Sequence, residues 1–237
     1  MKQNAVAVSV LFLASAVVGL AADQPSLPPD MIVQNFCAAQ QQAPTGKAAS
    51  MDIDIQASLP GLKKEGRFHA LRKINPFGRI SYLKASFEGD NAVKSQVVVR
   101  YLQAEADAQQ DESASMAVTP ANYKFQYKGQ KDADGRAVYV FQLAPKHKKK
   151  GLFKGEIWID AETYLPVREA GNLIKSPSIF VKKLAFVRTF DIRDGMSVPL
   201  QVQSVVNTVF GSAELTVDFS NFALDAGDDG DGESNIR

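Results

Sequence analysis

Near residue 50 the chain exchanges one hydrophobic period for another. Before it, Ile32, Phe36 and Ala39, flanked by Val33 and Cys37, recur at three- and four-residue spacing, which makes one apolar stripe along a helix. Pro28-Pro29-Asp30 supplies a start, since proline suits the first turn and an early acid suits the positive end of the helix dipole. A helix is expected over residues 31–42. From Met51 the period is two: Met51, Ile53, Ile55, Ala57 and Leu59 alternate with Asp52, Asp54, Gln56 and Ser58, the pattern of a half-buried strand.

Pro60-Gly61 turns the chain, and residues 63–74 and 79–88 read as two further strands around a turn at Asn75-Pro76-Phe77-Gly78. Asp90 is placed to cap a second helix in which Val93, Val97, Tyr101 and Ala104 share a face with Val98 and Leu102. The β-branched run within residues 96–102 also suits a strand; helix is the favoured reading. Residues 104–119 are polar and read as a helix end and loop. Strands then follow at 122–128, 138–143, 155–160, 166–170, 179–191, 198–209 and 214–222, with turn signals at Asp134-Gly135, Asp194-Gly195 and Phe210-Gly211. Roughly nine to eleven antiparallel strands and two helices are expected. Such a run of short-loop strands curls so that its edges are partly managed by closure. The expected fold class is α+β: a single antiparallel, incompletely closed β-barrel, or half-barrel, with the two helices plugging its concave face.

Composition narrows what such a domain does. The 237 residues are 45% hydrophobic and 22% charged, ordinary for a globular chain and unlike collagen, coiled coil or wholly disordered sequences. The 27 Lys and Arg nearly cancel the 26 Asp and Glu, so no nucleic-acid partner is expected. Lys2, an apolar stretch over residues 5–18 and the small residues of Gly19-Leu20-Ala21 read as a secretory signal cleaved after residue 21. The opposing reading is a membrane anchor, for which the apolar run is just short of the ~20 residues needed. Cys37 comes too late to be a lipidated first residue. A secreted, soluble mature protein is expected, with a disordered acidic tail over residues 223–237. Monomer is the favoured oligomeric state.

Chemistry-bearing motifs are scarce. There is no Gly-x-Ser-x-Gly elbow, phosphate-binding glycine loop or zinc-binding His-Glu-x-x-His helix. Two histidines and one cysteine leave little for a metal centre or a His-based triad. No catalytic residue, metal or cofactor is expected. Cys37 sits on the apolar stripe and reads as a small buried hydrophobe. The basic run Lys146-His147-Lys148-Lys149-Lys150 reads either as a solvated hairpin tip or as a contact for anionic headgroups. In the second reading Lys148, Lys149 and Lys150 meet the lipid, with Leu152 and Phe153 as apolar toes. A curved sheet whose inner face carries aromatic and aliphatic groups is a ready acyl-chain site. The candidates for that lining are Phe68, Tyr123, Phe125, Tyr139, Phe141, Trp158, Phe186 and Phe219.

The most specific stretch runs from Gly155-Glu156-Ile157-Trp158-Ile159-Asp160 through Ala161-Glu162-Thr163 to Tyr164-Leu165-Pro166. It is a hairpin in which Trp158 projects to one face, Ile157 and Ile159 to the other, and Asp160 can bond across the turn toward Thr163. Gly-x-hydrophobic-Trp-hydrophobic-Asp, a short turn ending in Thr and a following Pro resembles the late hairpin of periplasmic outer-membrane lipoprotein-sorting carriers of the LolA type. Their relatives include lipoprotein acceptors and sensor domains with the same open half-barrel. The resemblance extends loosely over residues 27–222 and implies a carrier or binder of acylated lipoproteins or lipids, acting without covalent chemistry. An inner- or outer-membrane protein is the second kind of partner it implies, for a sensor or interaction module of the same fold. In the carriers a basic residue directly before a Pro turn, after the second strand, is implicated in lipid transfer. Arg72 is the nearest match, standing four residues before Pro76, with Lys73 and Arg79 as alternatives. An open cavity under the helices favours the carrier; a face packed by Val97, Tyr101 and Phe36 favours the module.

Overall fold

The computed structural model describes residues 27–42, 47–110, 116–175, 181–208 and 211–224. The expected signal segment, the expected acidic tail beyond Leu224 and the start of the strand expected at 179 lie outside them. Ala223 and Leu224, expected in that tail, are instead the last residues of a strand paired with Ser50 and Ala49. The described residues form one ten-stranded antiparallel sheet and two helices. Helix α1 is Pro29–Gln42, and the first three strands are β1 (Ala49–Leu59), β2 (Lys64–Ile74) and β3 (Ile80–Gly89). Helix α2 spans residues 91–110: an α-helical turn (Asn91–Val93), a π segment (Lys94–Val98) and an α-helix (Val99–Gln110). Then follow β4 (Tyr123–Ala133), β5 (Arg136–Pro145), β6 (Phe153–Asp160), β7 (Pro166–Leu173), β8 (Val181–Arg193), β9 (Met196–Thr208) and β10 (Gly211–Leu224).

The order across the sheet is β3-β2-β1-β10-β9-β8-β7-β6-β5-β4. β1 crosses to β10, placing Ile53 opposite Phe219 and Ile55 opposite Val217. β3 and β4 are left as the two edges, so the barrel stays open as the strand pattern predicts.

The region 96–102 is helical, and the cap explains why. The Asp90 carboxylate accepts from the Ala92 N–H at 2.7 Å and thereby satisfies an otherwise orphaned donor. Val93, Val97 and Val98 are all buried, and the π segment between them keeps consecutive valines on the sheet side of a helix whose β-branched residues alone favour strand.

Two separate cores result. On one half of the sheet, Val93, Val97 and Val98 of α2 pack on Met51, Ile53, Ile55, Phe68, Ala70, Val217 and Phe219. On the other, Ile32, Val33 and Phe36 of α1 pack on Tyr123, Tyr139, Phe141, Leu143, Ile157, Ile159 and Phe186. Both lie on the inner, helix-covered face. Among the described residues the opposite face carries a small cluster around Val138, Val140 and Val167.

Candidate functional site

Alternation along each strand decides which side chains line the inner face. Of the groove candidates, Phe68 and Phe219 lie under α2. Tyr123, Phe125, Tyr139, Phe141 and Phe186 lie under α1. The α1 side is an aromatic trough. Phe141 stands 5.3 Å from Tyr127 and 6.0 Å from Phe125 between ring centroids, and Phe125 meets Phe36 of α1 at 6.3 Å. Such tilted and edge-on rings are the favourable geometries for aromatic pairs.

Trp158 corrects the sequence expectation: it is not in the trough. Ile157 and Ile159 take the inner face, so strict alternation sends the indole between them to the outer one, beside Val138 and Val140. There it is held between two cations, Arg168 at 4.7 Å and Lys131 at 5.1 Å from the ring centroid, while its N–H donates to Glu156 at 3.3 Å. The turn after it forms the bonds its residues suggest. Asp160 accepts from the Thr163 N–H and hydroxyl, each at 2.7 Å. Gly155 is required by close approach, because a Cβ there would run into the Ala170 carbonyl and the Gly171 backbone across the β6–β7 pair.

Phe153 is a second correction. It is 4% exposed and Leu152 is fully buried, with Phe153 packed 5.0 Å from Phe186 and 5.6 Å from Tyr123. At the start of β6 its register points inward, so it belongs to the core and presents no apolar toe to a lipid. Lys148, Lys149 and Lys150 are exposed in the β5–β6 connection.

Arg72 is a buried clasp. It follows Phe68 and Ala70 on the inward positions of β2 and is 6% exposed. Its Nη2 and Nε donate to Glu105 of α2 at 2.6 and 3.0 Å, and the Tyr82 hydroxyl donates to the other oxygen of Glu105 at 2.5 Å. The guanidinium also lies 6.0 Å from the Phe219 ring centroid. Burial, then the Glu105 charge, push the Tyr82 hydroxyl well above the ordinary tyrosine range, and the same two causes raise Tyr101. Both phenols stay neutral, and Tyr82 remains a donor. Lys73 and Arg79, the alternatives to Arg72, flank the turn at Asn75–Gly78, where Asn75 Oδ1 accepts from the Phe77 and Arg79 N–H groups.

A second inner-face charge pair sits between the two cores. Glu169 Oε2 is 3.6 Å from Arg188 Nη1, and Arg188 lies over the Phe186 ring at 4.8 Å. Burial raises the Glu169 carboxyl above its usual value, and the Arg188 charge only partly opposes this. Neither residue was marked by the sequence; their inward register appears only once β7 is paired with β8.

Among the described residues, no group of three or more His, Cys, Asp and Glu could hold a metal ion, and no helix is long and apolar enough to cross a membrane. An open depression of about 580 Å³ lies between Gln56, Arg67, Glu88 and Thr216, and no helix residue lines it. Val97 and Phe36 are buried and Tyr101 packs on the α2 core, so the face beneath the helices is filled.

No family model matches the chain, and no curated protein does. Several solved structures are similar. A DUF1329 family protein from Desulfovibrio piger aligns over 84% of this chain and 94% of its own, with 14% identity and a TM-score of 0.42. A LolA superfamily protein from Nitrosomonas europaea aligns over 85% and 95%, with 11% identity and a TM-score of 0.37. The MucA/MucB complex from Pseudomonas aeruginosa gives 83% and 98%, 12% and 0.25. The neighbours thus include the kind of protein that the hairpin at residues 155–166 resembles. At such scores the functional reading rests on this chain's own geometry.

Proposed function

We propose that this protein is a non-covalent binder of acyl chains in the bacterial periplasm, a lipid or lipoprotein carrier whose trough is covered by α1 until a ligand replaces it. The observation that carries the reading is how lightly that cover is fastened. Of the fourteen residues of α1, the sheet side buries Ile32, Val33 and Phe36, and no ion pair among the described residues ties α1 to the sheet. At about 1.5–3 kcal/mol per buried side chain the cover is worth roughly 5–9 kcal/mol. A dozen acyl methylenes at about 0.8 kcal/mol each offer a similar sum. One apolar cover can therefore replace the other at little net cost. The expected secretory signal supports the compartment.

The filled inner face favours a second reading, an envelope interaction module that binds a protein partner by its outer surface. Mass spectrometry of lipid co-purified with the mature protein, with titration of a fluorescent fatty acyl probe, separates the two. The carrier reading expects saturable probe binding that speeds hydrogen exchange in α1 and leaves α2 unchanged. An absence of both lipid and saturable binding, with α1 exchange indifferent to the probe, overturns it in favour of the module.

A further inference from the structure

The near-zero net charge conceals a separation of charge along the strands. Lys124 opens β4, Lys146 and Lys148–Lys150 cross from β5 to β6, and Lys154 opens β6. On the same side Lys175 leaves β7, and Lys182 and Lys183 open β8. The register brings these segments to one end of the sheet: Tyr123 pairs with Pro145, Leu143 with Gly155, Phe153 with Leu173, and Asn172 with Ala185. All of these lysines are exposed. Among the described residues none of them is in an ion pair. The opposite end of the same strands carries Asp132, Asp134, Asp160, Glu162, Asp191 and Asp194, against which stand Arg136 and Arg193, paired with Asp160 and Asp191.

We propose that this lysine-rich end docks on an anionic lipid bilayer. Five neighbouring strands at about 4.8 Å spread the charges over roughly 20 Å, beyond the ~10 Å Debye length. A small free anion meets only a few of them, whereas a charged plane meets them all. Lysine is also the residue for a diffuse surface: arginine's planar fork suits discrete bidentate partners, and no arginine stands in this set. An acidic protein partner would be expected to find aromatic or arginine anchors here. Among the described residues the exposed large apolar side chains toward this end are aliphatic, Val205 on β9 and Leu62, 60% exposed in the β1–β2 turn beside Lys63. Leu62 is suited to shallow insertion between headgroups. This inference stands apart from the acyl site, since it uses the rim and not the trough.

Co-sedimentation with phosphatidylcholine vesicles, with and without phosphatidylglycerol, tests it on the whole mature protein. Binding should need phosphatidylglycerol and weaken with salt. A lysine near such a surface contributes about fivefold in partitioning, so Lys148→Gln, Lys149→Gln and Lys150→Gln together should lower it by up to about a hundredfold. The matched set Lys47→Gln, Lys73→Gln and Lys131→Gln, away from this end, should lower it far less. Equal binding to neutral vesicles, or equal losses in the two sets, overturns the proposal. So does displacement by soluble glycerol phosphate, which would mark a discrete anion site, or tighter binding to polyglutamate than to the vesicles, which would mark an acidic protein partner.

Discussion

The two helices cover the two halves of one sheet by different means. α2 is fixed by a capped start, a π segment that buries Val97 and Val98, and the Arg72–Glu105–Tyr82 clasp near its far end. α1 rests on Ile32, Val33 and Phe36 against a trough of rings. A charged clasp is directional and costly to half-break, because the surviving partner is left buried without its counter-charge. An apolar seat is non-directional, and any apolar group of similar area can fill it. The difference assigns α2 to the frame and α1 to the movable part.

The largest effect is expected from breaking the clasp. Arg72→Met leaves Glu105 and Tyr82 facing an apolar side chain, and should lower stability by about 3 kcal/mol in urea denaturation. Adding Glu105→Gln to it should restore part of the loss, because the uncompensated charge is then gone. If Arg72→Met alone costs nothing measurable, α2 is not held by its charges and the contrast fails.

Next is the seat of α1. A Phe→Ala change in a core that must stay closed costs about 3–5 kcal/mol. For Phe36→Ala the loss in global stability should be smaller than this, because a helix that can detach caps its own contribution. Its signature is local: amide exchange across α1 should quicken well before that of β5 and β6. Exchange of α1 only through global unfolding would make the two halves equivalent and remove the basis for a liftable cover.

The charge pair between the halves gives a pH effect of intermediate size. Glu169 titrates higher in the folded chain than the ~4.3 of an unperturbed glutamate. Between those two values the folded state holds more proton than the unfolded state, so stability falls as pH rises through that window. Glu169→Gln should flatten the fall, seen in melting temperatures measured from acid to neutral pH. A wild-type profile that rises through the window would mean the Arg188 attraction outweighs burial.

These tests rest on features the sequence disclosed unequally. Alternation from Met51 to Leu59 and the stripe Ile32-Phe36 place buried residues correctly, because a half-buried element repeats its own geometry. Arg72 was visible as a basic residue, and its place two positions beyond Ala70 already implied the inner face. What alternation cannot supply is the partner, since Glu105 lies 33 residues away on a helix whose docking is a tertiary fact. Whether the trough beneath the helices is open or filled was left undecided, because helix packing area is not written in strand periodicity; α1 and α2 fill it. The lysine run at 146–150 was likewise legible, whereas its union with Lys124, Lys154 and Lys183 needs the strand register.

The smallest effect is expected at Trp158, and it tests the division between faces. Alternation alone leaves open which face Trp158 takes, and its size and aromaticity favour a place in the trough. The indole is instead outside, stacked by Arg168 and Lys131, where cation–π contacts at exposed sites contribute about 0.5–1 kcal/mol. Trp158→Phe keeps a ring for both cations and loses only the N–H donor to Glu156, so it should cost less than about 1 kcal/mol. An acyl ligand entering under α1 is separated from the indole by the sheet itself. Wild-type tryptophan emission should therefore change little on titration with a brominated fatty acid, and Trp158→Phe should bind the fatty acyl probe as the parent does. Strong, saturable bromine quenching of Trp158 would place the ligand on the outer face, and the covered trough would then no longer be the binding site.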